Sequence, residues 1–240
     1  MNTQTREKMN QLRLHGMRQA LETLLETRQQ LTTDQTLAML TDAEWEYRKN
    51  SRTERYIKQA AFRYRAAIEQ VRFDPVRNLD KNQLLRLAEC PFPNHAENIL
   101  ITGLTGASKS YLAWALGYQA CIKGYRTIYF NTQKLFAKLR MSKADQTYLK
   151  VLKNMEKMDL LILDDFGLEP LDQENRLMLL EILEDRHGRK STIIASQLPV
   201  KNWYDIIGDN TIADAILDRL VHQSHRIDLK GESMRKLKNY

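Results

Sequence analysis

No part of this 240-residue sequence restricts the fold as tightly as the octet Gly103-Leu104-Thr105-Gly106-Ala107-Ser108-Lys109-Ser110. It stands between an apolar run, Ile99-Leu100-Ile101, and the helical pattern Tyr111-Leu112-Ala113-Trp114-Ala115-Leu116. A phosphate-binding loop needs small residues in this strand-to-helix setting. They let successive backbone N–H groups turn inward around phosphate oxygens, backed by the positive end of the helix dipole. Read this way, Gly103, Thr105, Gly106, Ala107, Ser108, Lys109, Ser110 and Tyr111 form the ATP-binding set. Lys109 reaches the β- and γ-phosphates and the Ser110 hydroxyl ligates Mg²⁺. One position departs from the pattern G-x-x-x-x-G-K-[ST]: Ser108 replaces its second glycine. If that residue takes a positive φ, its Cβ costs about 1–2 kcal/mol. The bland alternative is an ordinary strand-to-helix turn with a chance lysine.

A second element narrows that alternative. Leu160-Leu161-Ile162-Leu163-Asp164-Asp165 reads as a buried strand ending in two carboxylates. Asp164 then holds the Mg²⁺ hydration shell, and Asp165 orients or deprotonates the attacking water. An acid pair after a strand can equally cap the next helix or simply be solvated. The run Ser191-Thr192-Ile193-Ile194-Ala195 ends in Ser196-Gln197, a polar tip able to meet the γ-phosphate or the lytic water, or else a plain loop start before Leu198-Pro199. Arg219, on the helical pattern Ala213–Leu220, fits an arginine reaching a neighbouring subunit's nucleotide. A lone arginine more often pairs with a local acid such as Asp214 or Asp218.

The rest of the chain organises around this core. Through about residue 70 there is no proline and a single glycine, Gly16, while leucines recur near helical spacing. Thr33 and Asp34 are start signals for a helix. From Trp45 to Val71 a helical wheel gathers Ile57, Ala60, Ala61, Tyr64 and Ile68 on one face, with Arg48, Arg52, Arg55 and Arg63 opposite. Seven basic residues and one acid lie between Arg48 and Arg65, making these four arginines candidate DNA contacts. A solvated charged face is the alternative. Residues 71–97 hold three of the five prolines and read as a linker with one short helix. From 98 to 230, short apolar runs alternate with helical patterns, the signature of a parallel sheet with crossover helices. Residues 231–240 form a basic tail. The expected fold is α/β, a P-loop core preceded by an all-helical domain over residues 1–70.

Composition closes off several classes. The formal charge of +7 makes polyanions plausible partners. Cys90 and Cys121 are far apart with no neighbouring ligand at metal spacing, and the five histidines are scattered, so neither a disulfide framework nor a zinc site is expected. No apolar run approaches a membrane span and the N-terminus lacks a secretory pattern, so a cytoplasmic location without membrane contact is expected.

With these residues assembled, the chain resembles the IstB family, the AAA+ ATP-binding helpers of insertion-sequence transposition, related to the DnaC helicase loader. The most specific stretch runs from Asp159–Leu168 to Leu180–Arg186, then through Ser196-Gln197-Leu198-Pro199, Ile212–Leu220 and Leu229–Arg235; Leu12–Met17 also looks like the family's start. The resemblance implies Gln197 as a sensor of the γ-phosphate, Arg219 as an arginine finger, and Arg235 as a second, weaker sensor. It also implies assembly of a homo-oligomer on duplex DNA with ATP, and recruitment of a cognate transposase. No acidic triad of a strand-transfer nuclease is evident, so DNA cleavage is not expected of this chain. A helicase loader and a DNA-bridging scaffold with an impaired loop are the alternatives.

Overall fold

A computed structural model of the chain describes residues 3–28, 30–73, 75–106 and 108–231. It divides into two compact units, Met1–Arg55 and Tyr56–Tyr240.

The first unit contains α1 (Thr3–Gln11), α2 (His15–Thr27) and most of α3 (Thr33–Ala60). Thr32, one residue ahead of the expected start, opens α3 through reciprocal contacts: Gln35 N–H donates to Thr32 Oγ1 (3.3 Å) and Thr32 N–H to Gln35 Oε1 (3.0 Å). Gly16 is required where α2 meets α3, because a Cβ there would lie 2.3 Å from the Ala43 carbonyl oxygen. The same approach brings the N–H groups of Gly16 and Met17 within 2.8 and 3.2 Å of Glu44 Oε2. Burial alone would raise the Glu44 carboxyl, but hydrogen bonds from Arg48, Met17 and Gly16 hold it below its usual range.

The helix expected to run to Val71 stops at Ala60, because Ala61 turns into the left-handed region at φ 57°. Arg63 therefore lies beyond the helix that carries Arg48, Arg52 and Arg55, and Tyr64 is exposed rather than buried. The chain then runs into the second unit's core. Ala66, Ile68, Val71, Leu84, Leu87, Cys90 and Phe92 all pack there, and α4 (Lys81–Ala88) is the short helix expected. The proline-bearing segment 71–97 is thus part of the core rather than a linker. Its apolar residues need a partner surface, and one face of the sheet supplies it.

That sheet comprises β1 (Asn98–Gly103), β2 (Thr127–Asn131), β3 (Leu160–Phe166), β4 (Ser191–Ser196) and β5 (Ser224–Leu229). All five strands are parallel, in the order β2-β3-β4-β1-β5. Alternate residues serve opposite faces. Ile99, Ile101, Ile162 and Ile193 pack with α5 (Lys109–Ile122). Leu100, Leu161, Leu163 and Ile194 pack with α6 (Thr132–Ala144), α7 (Tyr148–Glu156), α8 (Gln173–Arg186), α9 (Trp203–Ile207) and α10 (Asn210–Val221). Coverage on both sides explains the near-continuous apolar runs of the inner strands, and each such buried Leu or Ile contributes about 1.5–3 kcal/mol. Among the described residues, no helix is long and apolar enough to cross a membrane.

Candidate nucleotide site

The site forms where β1, β3 and β4 end. β1 closes on Gly103, whose φ of 149° and contact with β5 exclude a side chain: a Cβ would lie 2.6 Å from the Leu229 carbonyl oxygen. The loop turns through Gly106 (φ 82°) and Ser108 (φ 66°) before α5 begins at Lys109. Ser108 thus adopts the left-handed conformation that the usual glycine supplies without cost, and its carbonyl accepts from Leu112 N–H at 3.0 Å. Ala107 lies outside the described residues.

Lys109 is only 7% exposed. Its Nζ donates to the Leu104 carbonyl oxygen at 2.9 Å. Burial lowers the Lys109 ammonium below its ordinary value, and the Asp164 and Asp165 carboxylates oppose that fall. Ser110 Oγ donates to Asp164 Oδ1 at 2.9 Å, so the structure brings the loop's hydroxyl and the first acid of the strand together. Tyr111 turns elsewhere. Its hydroxyl donates to Gln70 Oε1 (3.0 Å) and accepts from Ala67 N–H (3.2 Å), tying α5 to the segment after α3.

The two acids receive different geometries from one irregularity. The β3–β4 ladder pairs Leu163 with Ile194 and then Phe166 with Ser196, so Asp164 and Asp165 together face a single residue. A bulge of this kind re-aims side chains. Asp165 sits at φ 57° and its Oδ2 accepts from Asn131 Nδ2 at 2.8 Å. Asp164 stays inside, where Tyr129 donates its hydroxyl to Oδ2 (3.1 Å) and Asp165 N–H donates to Oδ1 (2.9 Å). Burial raises the Asp164 carboxyl despite the Ser110 hydrogen bond, and the neighbouring Asp165 charge pushes the same way. The acid pair does not cap the next helix, since Asp172 caps α8 by accepting from Asn175 N–H at 2.8 Å.

Gln197 follows β4 and its Oε1 accepts from Thr105 Oγ1 at 2.6 Å, bringing the strand tip to the loop. Arg219 is not brought there. Its guanidinium pairs with Glu184 on α8, rather than with Asp214 or Asp218, and donates to the Ala215 carbonyl at 2.7 Å. Its own carbonyl accepts from Asn98 Nδ2 at 2.9 Å, at the start of β1, whereas the loop follows the end of that strand. Arg63 stands near Tyr129, whose hydroxyl burial and Asp164 push up and Arg63 pulls down slightly. Arg235 and the tail from 232 lie outside the described residues. Tyr129 and Asn131 were absent from the sequence-based set. Asn131 carried a usable signal, a strand-end Asn before a helical run, and it caps α6 by accepting from Lys134 N–H.

The model for IstB-like ATP binding proteins matches residues 7–240. The insertion sequence ATP-binding protein y4pL of Sinorhizobium fredii is 42% identical over 97% of this chain and 96% of its own length. The chain is similar to the crystal structure of the DnaC helicase loader, with a TM-score of 0.58 and 22% identity over 69% of this chain and 97% of that one. It is also similar to AMPPCP-bound DnaA from Aquifex aeolicus, with a TM-score of 0.60 and 20% identity over 75% of this chain and 57% of that one. These two structures share the AAA+ P-loop fold of the parallel sheet described above.

Proposed function

The chain belongs to the family of IstB-like ATP binding proteins, and from that premise we propose that it is an ATP-hydrolysing helper of a DNA transposase. It assembles on target duplex DNA when ATP is bound and recruits the transposase that performs the strand chemistry. The observation that carries the ATPase reading is the 2.9 Å contact between Ser110 Oγ and Asp164 Oδ1, beneath a loop whose lysine is buried beside them.

Ser110 and Asp164 are the residues that would hold Mg²⁺. Two hard oxygen donors, with one carboxylate rather than a cage, suit an ion that takes its remaining ligands from phosphates and water. When bound, the ion neutralises charge developing on the phosphates. Lys109 exchanges the Leu104 carbonyl for phosphate oxygens, and the loop N–H groups bind the rest. Asp165, turned outward by the bulge and held by Asn131, accepts a proton from the attacking water. Gln197 positions that water or reads the γ-phosphate, and Arg219 acts on the nucleotide of an adjoining copy. Arg48, Arg52, Arg55 and Arg63 supply DNA contacts.

The test is the ATP hydrolysis rate of the purified chain with and without long duplex DNA, at low and moderate salt. Stimulation by DNA that fades with salt is the expected result. Turnover indifferent to DNA, together with capture of a replicative helicase rather than a transposase, would replace this reading with that of a helicase loader.

A further inference from the structure

The first unit carries a groove that the ATPase reading leaves unused. Its volume is 710 Å³, and Leu12, Arg13, Trp45, Lys49, Arg52 and Arg55 are among its nine lining residues. Five of those nine are cationic and none is acidic. Arg48, the fifth cation, gives its Nε to Glu44 at 2.6 Å, and Lys49 gives its Nζ to Glu46 at 3.4 Å. Within this basic frame stand two large apolar side chains in water: Trp45 is 71% exposed and Leu12 67%.

We propose that this groove is a base-stacking DNA site, in which the Trp45 indole stacks on or wedges between bases while Arg48, Arg52 and Arg55 hold the flanking phosphates. The proposal rests on the DNA-binding reading above and assigns it a residue and a mode. The arginines recur at i, i+4 and i+7 on α3, so they form one line of charge spanning roughly 10 Å along a straight rod. A uniformly negative backbone matches such a line. An acidic protein segment, whose carboxylates are interrupted by other side chains, matches it less well. An exposed indole among phosphate-binding cations is also suited to nucleic acid. Any base offers it a face, and an apolar wedge between base steps kinks a duplex.

The experiment exploits the distribution of the three tryptophans. Trp114 is 8% exposed and Trp203 is fully buried, so a change of emission on adding DNA without nucleotide reports Trp45. The full chain is titrated with a labelled duplex, following anisotropy and tryptophan emission together. Emission is expected to quench in step with binding. Trp45→Ala should weaken affinity about tenfold at unchanged salt slope, and Trp45→Phe should recover part of the loss. Arg52→Ala and Arg55→Ala should each lower the slope of log affinity against log salt by roughly one. Binding by anisotropy with silent Trp45 emission, or wild-type affinity in Trp45→Ala, overturns the stacking site and leaves the DNA reading standing. Quenching by a Glu/Leu amphipathic peptide but not by duplex assigns the groove to an acidic protein segment and overturns the proposal. No duplex binding at all, either without nucleotide or with ATP, removes the DNA reading itself.

Discussion

Lys109 Nζ donates to the carbonyl oxygen of Leu104, 2.9 Å away, so this lysine is folded back onto the loop that precedes it. The hydrogen bond satisfies a buried ammonium that burial otherwise discourages. A nucleotide's phosphates replace one neutral carbonyl with anionic oxygens, so the ammonium gains opposite charges as well as acceptors.

Lys109→Ala should therefore lower ATP affinity by about tenfold or more. A fluorescent nucleotide titration, with circular dichroism to confirm the fold, measures this. Unchanged affinity would remove the octet from the binding site.

Asp165 is turned outward by the β3 bulge, whereas Asp164 is buried against Ser110 and Tyr129. Asp165→Asn should keep ATP affinity within about twofold while reducing turnover by on the order of 10²–10³. Normal hydrolysis in this variant refutes the assignment of the outer acid as proton acceptor.

Ser108 already stands at φ 66° with its carbonyl in the first helical bond of α5. Its strain belongs to the folded chain with or without nucleotide, so it cancels in binding. Glycine relieves about 1–2 kcal/mol of left-handed strain and gives back about 0.4–1 kcal/mol of unfolded-state entropy. Ser108→Gly should raise thermal stability modestly and change ATP affinity less than about threefold. A tenfold gain in affinity would show that the serine side chain obstructs the phosphates.

Arg219 pairs with Glu184 on its own subunit, a partly exposed ion pair worth at most about 1 kcal/mol. Arg219→Ala should retain ATP binding and near wild-type melting, yet lose the rise of specific turnover with protein concentration. Wild-type turnover at every concentration would show that no adjoining copy uses this residue.

Asp159 accepts from Lys190 Nζ (2.6 Å) and Arg126 N–H (2.9 Å), joining the start of β3 to residues preceding β2 and β4. Burial raises its carboxyl, but these bonds outweigh burial and hold it below the ordinary 3.8. A depressed carboxylate contributes stability that is present above its unfolded value and lost as pH falls through the folded one. Asp159→Asn should cost roughly 1–2 kcal/mol at neutral pH, with the gap to wild type closing below pH 3.8 in denaturant melts. A gap independent of pH would mean that shape, not charge, matters there.

Strands β1 to β4 were legible because each carries a continuous buried apolar run, and α5 and α10 because apolar residues recur on a buried face. β5 left none: it alternates Ser224-His225-Arg226-Ile227-Asp228-Leu229, with only Ile227 and Leu229 buried. The end of α3 at Ala60 was equally hidden, since the helical pattern continues past a turn that no Gly or Pro marks.

The sequence by itself determined that a glycine-bearing turn joins a strand to a helix between residues 103 and 109 and that an acid pair lies near the end of a buried strand, since both are local requirements of backbone and residue type. Only the tertiary structure decided that Asp164 points inward and Asp165 outward, because a register shift against β4 sets them apart. It alone gave Tyr129 and Asn131 to those acids, Thr105 to Gln197 and Glu184 to Arg219. These partners lie tens of residues apart in the chain, and side-chain direction across a sheet follows from strand order and register, which no short window of residues contains.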